Sequence, residues 1–178
     1  MRPKKSRSSA LRVESFPPIY RADAQVLILG SMPSVASLEQ GQYYGHPRNA
    51  FWPLMAELFG LDAQAPYSKR VQALQEARVA VWDVLQSCVR PGSLDSSIER
   101  ASEVPNRIDE LLQEASGVRH VFLNGRKAEQ SWRRYFAARI DLPTTTLPST
   151  SPAMASLDFA GKLAQWRQVA ARRSGPLG

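Results

Sequence analysis

The chain has 178 residues, 43% of them hydrophobic and 22% charged, with a formal net charge of +7; this is the length of one domain, enough to bury roughly 70% of its unfolded surface. Cys88 is the only cysteine and His46 and His120 the only histidines, which excludes an intrachain disulfide, a cysteine-based zinc site and a four-cysteine iron–sulfur cluster. No run approaches the ~20 apolar residues of a membrane span, and the basic N-terminus lacks the apolar stretch of a secretory signal.

The lone cysteine fits a reducing, cytoplasmic compartment, and no clustered Asp/Glu motif marks a metal site, so no metal or cofactor is expected. Charge is unevenly spread. Residues 1–12 carry five cations and no acid, residues 13–118 have a net charge of −5, and residues 119–178 have a net charge of +7. A basic arm and a basic C-terminal third suggest a polyanionic partner, although basic tails and solvated helix faces produce the same bias.

In chain order, residues 1–13 read as a disordered basic arm, charged and without hydrophobic periodicity. Residues 14–173 form a single domain, and 174–178 a tail. Gln25–Leu29 is the first buried strand, ending in Gly30-Ser31-Met32-Pro33-Ser34. Ala50–Phe59 has helical spacing in Phe51, Leu54, Met55 and Leu58, with Gly60 placed to stop it. Val71–Ala77 is a helix end, Val79–Leu85 a second buried strand and Ser87–Ser97 a loop. Asn106 is suited to cap a helix over Arg107–Ala115. His120–Leu123 is a third strand ending in Asn124-Gly125, followed by a helix over Arg126–Ala138. Thr144–Leu147 is a short fourth strand, Pro148–Pro152 a loop, and Leu157–Ala171 the last helix. Strands alternating with helices at this spacing predict a mainly parallel sheet with helices on both faces. Function gathers at the carboxyl ends of such strands, so Gly30–Ser34, Asp83–Ser87, Asn124-Gly125 and Pro148–Pro152 should converge on one cleft.

The chain has no G-x-G-x-x-G fingerprint, no phosphate loop of the G-x-x-x-x-G-K-[ST] type and no G-x-S-x-G elbow. What it has is Tyr43-Tyr44-Gly45-His46-Pro47-Arg48-Asn49-Ala50-Phe51-Trp52. Stacking faces, a cation and a side-chain amide, all within ten positions, are the parts needed to hold a planar base beside a phosphate.

These blocks resemble the hypoxanthine-DNA (deoxyinosine) glycosylases, a branch of the uracil-DNA glycosylase superfamily. The resemblance continues through Trp82-Asp83-Val84-Leu85, Gly92-Ser93-Leu94-Asp95-Ser96, Phe122-Leu123-Asn124-Gly125 and Leu147-Pro148-Ser149-Thr150-Ser151-Pro152-Ala153. It covers roughly residues 26–166. It implies a three-layer α/β/α sandwich around a four-stranded parallel sheet. It also implies a monofunctional, metal-independent enzyme that flips deaminated bases from DNA, hypoxanthine first, with uracil or xanthine as further substrates. Such a protein would be a monomer associated with the nucleoid.

Carried onto this sequence, the resemblance makes Asn49 the water-orienting catalytic residue; a neutral amide orients and polarises and is no strong base. The bland alternative is that Asn49 only caps the helix after it. Ser31 and Met32 would lend donors to the base, Tyr44 would stack on it, and His46 would contact base or phosphate. Asp83 lies where several superfamily members recognise the base, or else fixes the loop after it. Asn124 would bond the base or simply permit the turn with Gly125. Arg48, Ser149, Thr150 and Ser151 would meet DNA phosphates, with Met154 as the apolar wedge into the stack. Leu147 replaces a histidine that many uracil glycosylases use as a donor to uracil. Phe51 and Trp52, at helical spacing with Leu54 and Met55, read as core. Lys127 and Lys162 are expected on solvent-facing helices, which leaves no cleft lysine for Schiff-base chemistry.

Three other readings stay open at this point. One is a uracil glycosylase acting mainly on G/U mismatches. The second is a non-catalytic binder of damaged or single-stranded DNA, and the third a small-molecule hydrolase using Ser31.

Overall fold

The computed structural model describes residues 12–173. Its elements in chain order are β1 (Arg12–Glu14), β2 (Val26–Gly30), α1 (Val35–Gln40), α2 (Phe51–Phe59), α3 (Tyr67–Glu76), β3 (Val79–Asp83), β4 (Leu85–Val89), a single 3₁₀ turn (Asp95–Ser97), β5 (Glu99–Pro105), α4 (Ile108–Glu114), β6 (His120–Asn124), α5 (Arg126–Tyr135), β7 (Thr144–Leu147) and α6 (Phe159–Arg173).

Strands β3-β2-β6-β7 form one sheet in that order, and all three pairings are parallel. Strand β2 lies at the centre, so it is buried on both faces and reads as an unbroken apolar run. Its side chains alternate between two cores. Val26 and Ile28 pack with Phe51, Leu54, Leu74 and Trp166, from α2, α3 and α6. Leu27 and Leu29 pack with Ile108, Leu111, Ala128 and Trp132, from α4 and α5. Helices thus cover both faces, which gives the expected α/β/α layering.

A second, three-stranded sheet of order β1-β4-β5 was not foreseen. Both its pairings are antiparallel, Arg12–Glu14 running against Ser87–Val89 and β4 against β5 with register shifts. Three expectations change as a result. The segment Val79–Leu85 is not one strand: the chain bends at Val84 and leaves the parallel sheet for the second one. The stretch Ser87–Ser97 is a loop only after Val89. Arg12 and Val13, assigned to the arm, sit in β1, where the Arg12 Nη1 donates to Ser87 Oγ at 2.8 Å. The rest of the arm, and the tail, lie outside the described residues.

The helix after Pro105 also begins differently. Asn106 does not cap it; its Nδ2 donates to the Asp83 carbonyl at 2.9 Å and to Ser15 Oγ at 3.1 Å. Asn106 therefore ties the second sheet to the tip of β3. A short helix, α1, fills the stretch after Pro33, capped by Ser34, whose hydroxyl accepts from the Ser37 N–H.

Candidate active site

The four parallel strands end on the same side of the sheet, and their tips open into a cleft of about 820 Å³. Of the twelve residues singled out from the sequence, eleven border it: Ser31, Met32, Tyr44, His46, Asn49, Asp83, Asn124, Ser149, Thr150, Ser151 and Met154. Arg48 does not. It is exposed outside the cleft wall, and its backbone N–H donates to His46 Nδ1 at 3.1 Å. That bond makes Nδ1 the acceptor, so a neutral His46 carries its proton on Nε2.

Asn49 lies two residues before α2, with Ala50 between them. Its Oδ1 accepts from the Phe51 N–H at 2.9 Å, and its own N–H donates to the His46 carbonyl at 2.9 Å. Capping and catalysis are thus geometrically compatible here. The cap fixes the amide plane, one Oδ1 lone pair stays open, and among the described residues nothing takes Nδ2. Behind it, Phe51 and Trp52 are buried in the core, and the Trp52 Nε1 donates to the Tyr43 carbonyl at 2.9 Å.

Tyr44 has a left-handed backbone, φ 54°. Its ring stacks on Phe51 with centroids 4.0 Å apart and planes 22° apart. One ring face is therefore covered, and a base could use only the other.

Gly30 shows how tightly the floor is built. A Cβ there would stand 2.5 Å from Asp83 Oδ1 and 3.0 Å from the Tyr44 hydroxyl, so only glycine allows β2 to pass beneath the carboxyl. Asp83 is 3% exposed, and its Oδ2 has no hydrogen-bond partner. Burial pushes its carboxyl up to about 7; the charge of Asp95 adds to the shift and that of Arg90 partly offsets it. Asp95, from the 3₁₀ turn, borders the same cleft and accepts from Ser31 Oγ at 2.6 Å. Asp95 is exposed as a residue, but the packing around its carboxyl raises it, with the Ser31 bond and Arg90 opposing.

Asp83 makes stability depend on pH. Its carboxyl ionises near its ordinary 3.8 in the unfolded chain and near 7 in the folded one. Between those values the folded state holds the extra proton. The contribution is full below about pH 3.8, falls as pH rises toward 7 and is flat above. At ~1.4 kcal/mol per pH unit the loss is on the order of 4 kcal/mol. Asp83→Asn should therefore gain melting temperature over the parent as pH is raised from about 5 to about 8. A difference that stays constant across that range would contradict an ionisable group buried this way.

The loop after β7 is clamped rather than free. Asn124, buried at the tip of β6, accepts from the Thr150 N–H at 3.0 Å and donates from Nδ2 to Thr150 Oγ1 at 3.0 Å and the Tyr44 hydroxyl at 3.3 Å. Both ends of its amide are engaged by the protein, which is a clamp's geometry. The Thr150 carbonyl accepts from the Ala50 N–H at 3.0 Å, so the loop is bolted to the junction that carries Asn49. Thr150 is itself buried, and its hydroxyl faces Asn124 instead of a phosphate. The Ser151 N–H is taken by Ser149 Oγ at 3.2 Å, and the Ala153 N–H by Ser151 Oγ at 3.2 Å. What Ser149 and Ser151 retain for a phosphate is their hydroxyl protons. Gly125, with φ 94°, supplies the turn, and a Cβ there would come within 3.0 Å of Ser149 Cβ.

Lys162 departs from expectation. It is 5% exposed, and its Nζ lies 3.4 Å from the Ser151 carbonyl; burial lowers its pKa. It supports the loop from below and does not border the cleft. Lys127 pairs with Glu103.

Sequence reasoning missed Asp95, Ser93 and Arg126, which border the cleft, and Arg90 behind it. The block Gly92-Ser93-Leu94-Asp95-Ser96 was visible as a motif but carried no role. The available signal was an acid among three serines in a short glycine-led loop.

Residues 17–172 match the family model described as the uracil DNA glycosylase superfamily. The chain is 35% identical over 119 residues to a protein named hypoxanthine DNA glycosylase from Methanosarcina barkeri, covering 66% of this chain and 74% of that one. It is 35% identical over 139 residues to another protein of that name from Methanosarcina acetivorans, covering 78% and 85%. Among solved structures it is similar to an NMR structure of a candidate uracil DNA glycosylase from Methanosarcina acetivorans. There the TM-score is 0.77, with 30% identity over 91% of this chain and 98% of that one.

Proposed function

Because the chain belongs to the uracil DNA glycosylase superfamily, we propose that it is a monofunctional DNA glycosylase that flips deaminated bases out of DNA, hypoxanthine foremost, and hydrolyses their N-glycosidic bond. The observation that carries this reading is that Asn49 and Asp83 border the same cleft. The amide is held rigid at a loop–helix junction, and the carboxyl is held in a dry wall.

Breaking the glycosidic bond puts oxocarbenium character on the sugar and negative charge on the leaving base. Asn49, with its amide plane fixed, orients the water that attacks the sugar, a positioning role that needs no strong base. Hypoxanthine presents a lactam edge, an N–H beside a C=O. Asp83 in its neutral form presents one donor and one acceptor, which match that edge. Ser149 and Ser151 hold the flanking phosphates and Met154 fills the stack where the base has left. The curated relatives' names support hypoxanthine as the base.

The test is base release from labelled duplexes carrying hypoxanthine, uracil, xanthine or a normal base, each followed by alkali to cut abasic sites. Hypoxanthine-containing strands should be cut only after alkali. With one cysteine and two histidines in the chain, full activity in EDTA is expected. Scission without alkali would overturn the monofunctional assignment. Tight binding with no release of any base would leave a DNA-binding module in its place, and faster release of uracil from G/U pairs would make uracil the substrate.

A further inference from the structure

Arg90 has no place in the chemistry above, yet it is among the most thoroughly buried large side chains of the protein. It stands at the end of β4, 2% exposed. Its Nε donates to the Gly92 carbonyl at 2.7 Å and its Nη2 to the Pro33 carbonyl at 2.6 Å. Its Nη1 is buried without a partner. Among the described residues, no carboxylate forms an ion pair with it. A guanidinium does not shed its proton, so this is a buried cation that makes no ion pair and is offset only through space, by the charges of Asp95 and Asp83.

Its surroundings place it directly behind the cleft wall. Pro33 and the segment Ser93–Ser96 both form cleft wall, and Arg90 holds the carbonyls of Pro33 and Gly92 from behind. The two loops are stitched further by the Val35 N–H donating to Ser93 Oγ at 2.9 Å and by Ser31 Oγ donating to Asp95 at 2.6 Å. The charge of Arg90 acts on both carboxyls that border the cleft, lowering the pKa of Asp83 and of Asp95 against the effect of burial. The loops it holds form cleft wall, so its charge lies behind the space a base would occupy.

We propose that Arg90 is a positioning residue for excision: it locks the loop after β2 to the loop after β4, and its fixed charge stabilises the anion that forms on the departing base. This rests on the glycosylase reading. The bond between base and sugar breaks with its electron pair passing to the base, while water adds to the sugar and releases a proton to solvent, from which the departed base anion is protonated. The base leaves as an anion, and a cation fixed before the reaction starts lowers that barrier without reorganising.

The experiment compares Arg90→Gln and Arg90→Lys in the full chain. Single-turnover release is measured from duplexes carrying hypoxanthine and from duplexes carrying xanthine, whose more stable anion makes it the better leaving group. Circular dichroism and melting curves check the fold. Arg90→Gln should slow hypoxanthine release by roughly 10- to 100-fold and xanthine release by clearly less, and Arg90→Lys should recover most of the loss. Equal losses on both bases, or equal losses in the Gln and Lys variants, would reduce Arg90 to a structural strut and overturn the proposal.

A measurement on the unaltered protein serves if neither variant folds. At a single pH, so that Asp83 keeps one charge state, free xanthine, the stronger acid, should inhibit hypoxanthine release more strongly than free hypoxanthine does. Equal or weaker inhibition by xanthine would overturn the proposal. No release of any base by the parent protein would instead overturn the glycosylase reading and take this proposal with it.

Discussion

Asn49→Ala should lower single-turnover release of hypoxanthine by about 100-fold or more, the scale seen when one amide that orients the transition state is removed. The fold should survive. The substitution removes the bond from the Phe51 N–H to Asn49 Oδ1, which as a lost cap costs about 1 kcal/mol. Phe51 and Trp52 keep their core packing. DNA affinity should hold, because no charge is lost. Asn49→Asp separates the two roles of this side chain. It still accepts from the Phe51 N–H, so its melting temperature should stay near the parent's, yet its negative charge lies near the leaving anion and release should be impaired. Release at the parent rate by Asn49→Ala would reduce Asn49 to a helix cap.

The second large effect is expected at Asn124. Asn124→Ala removes three hydrogen bonds and leaves the Thr150 N–H buried without a partner, a loss of about 2–4 kcal/mol. Thr150 is also what ties the loop after β7 to Ala50. A loosened loop should therefore slow release more than 10-fold, since small misplacements of orienting groups have effects of this size. The two losses should appear together, and a lower melting temperature is the mark of the clamp. A variant of parental stability that still loses its rate would instead put Asn124 in contact with the base.

The parallel sheet was legible because strands covered on both faces are written as apolar runs, and Val26–Gly30 and Val79–Asp83 are such runs. The second sheet was not. Glu99–Pro105 is rich in charge and largely exposed, and Leu85–Val89 mixes Gln and Ser with apolar residues. Neither has a pattern of its own; they are strands because they pair with each other and with Arg12–Glu14, and such context overrides propensity.

The same division holds in the cleft. Residue types that suit a base and a phosphate, such as Asn49, His46 and Tyr44, could be picked out in one short segment. Arg90 and Lys162 could not, because a charged residue in a sequence reads as solvent-facing and only the packed chain shows it buried. Asn106 suits a cap by type, yet it serves as a strut between sheets because Ser15 and the Asp83 carbonyl lie within its reach.

Strand β1 also governs how this protein can be shortened. Its three residues cover one side of β4, whose other side is taken by β5. With β1 in place, β4 has no open edge. A protein cut back past Glu14 would present the β4 backbone to solvent, and two such molecules could pair strand to strand, the usual route from an uncovered edge to self-association. Cys88, which faces Val13 across that pairing, would lose its cover in the same step. A cut before Arg12 leaves this protection intact.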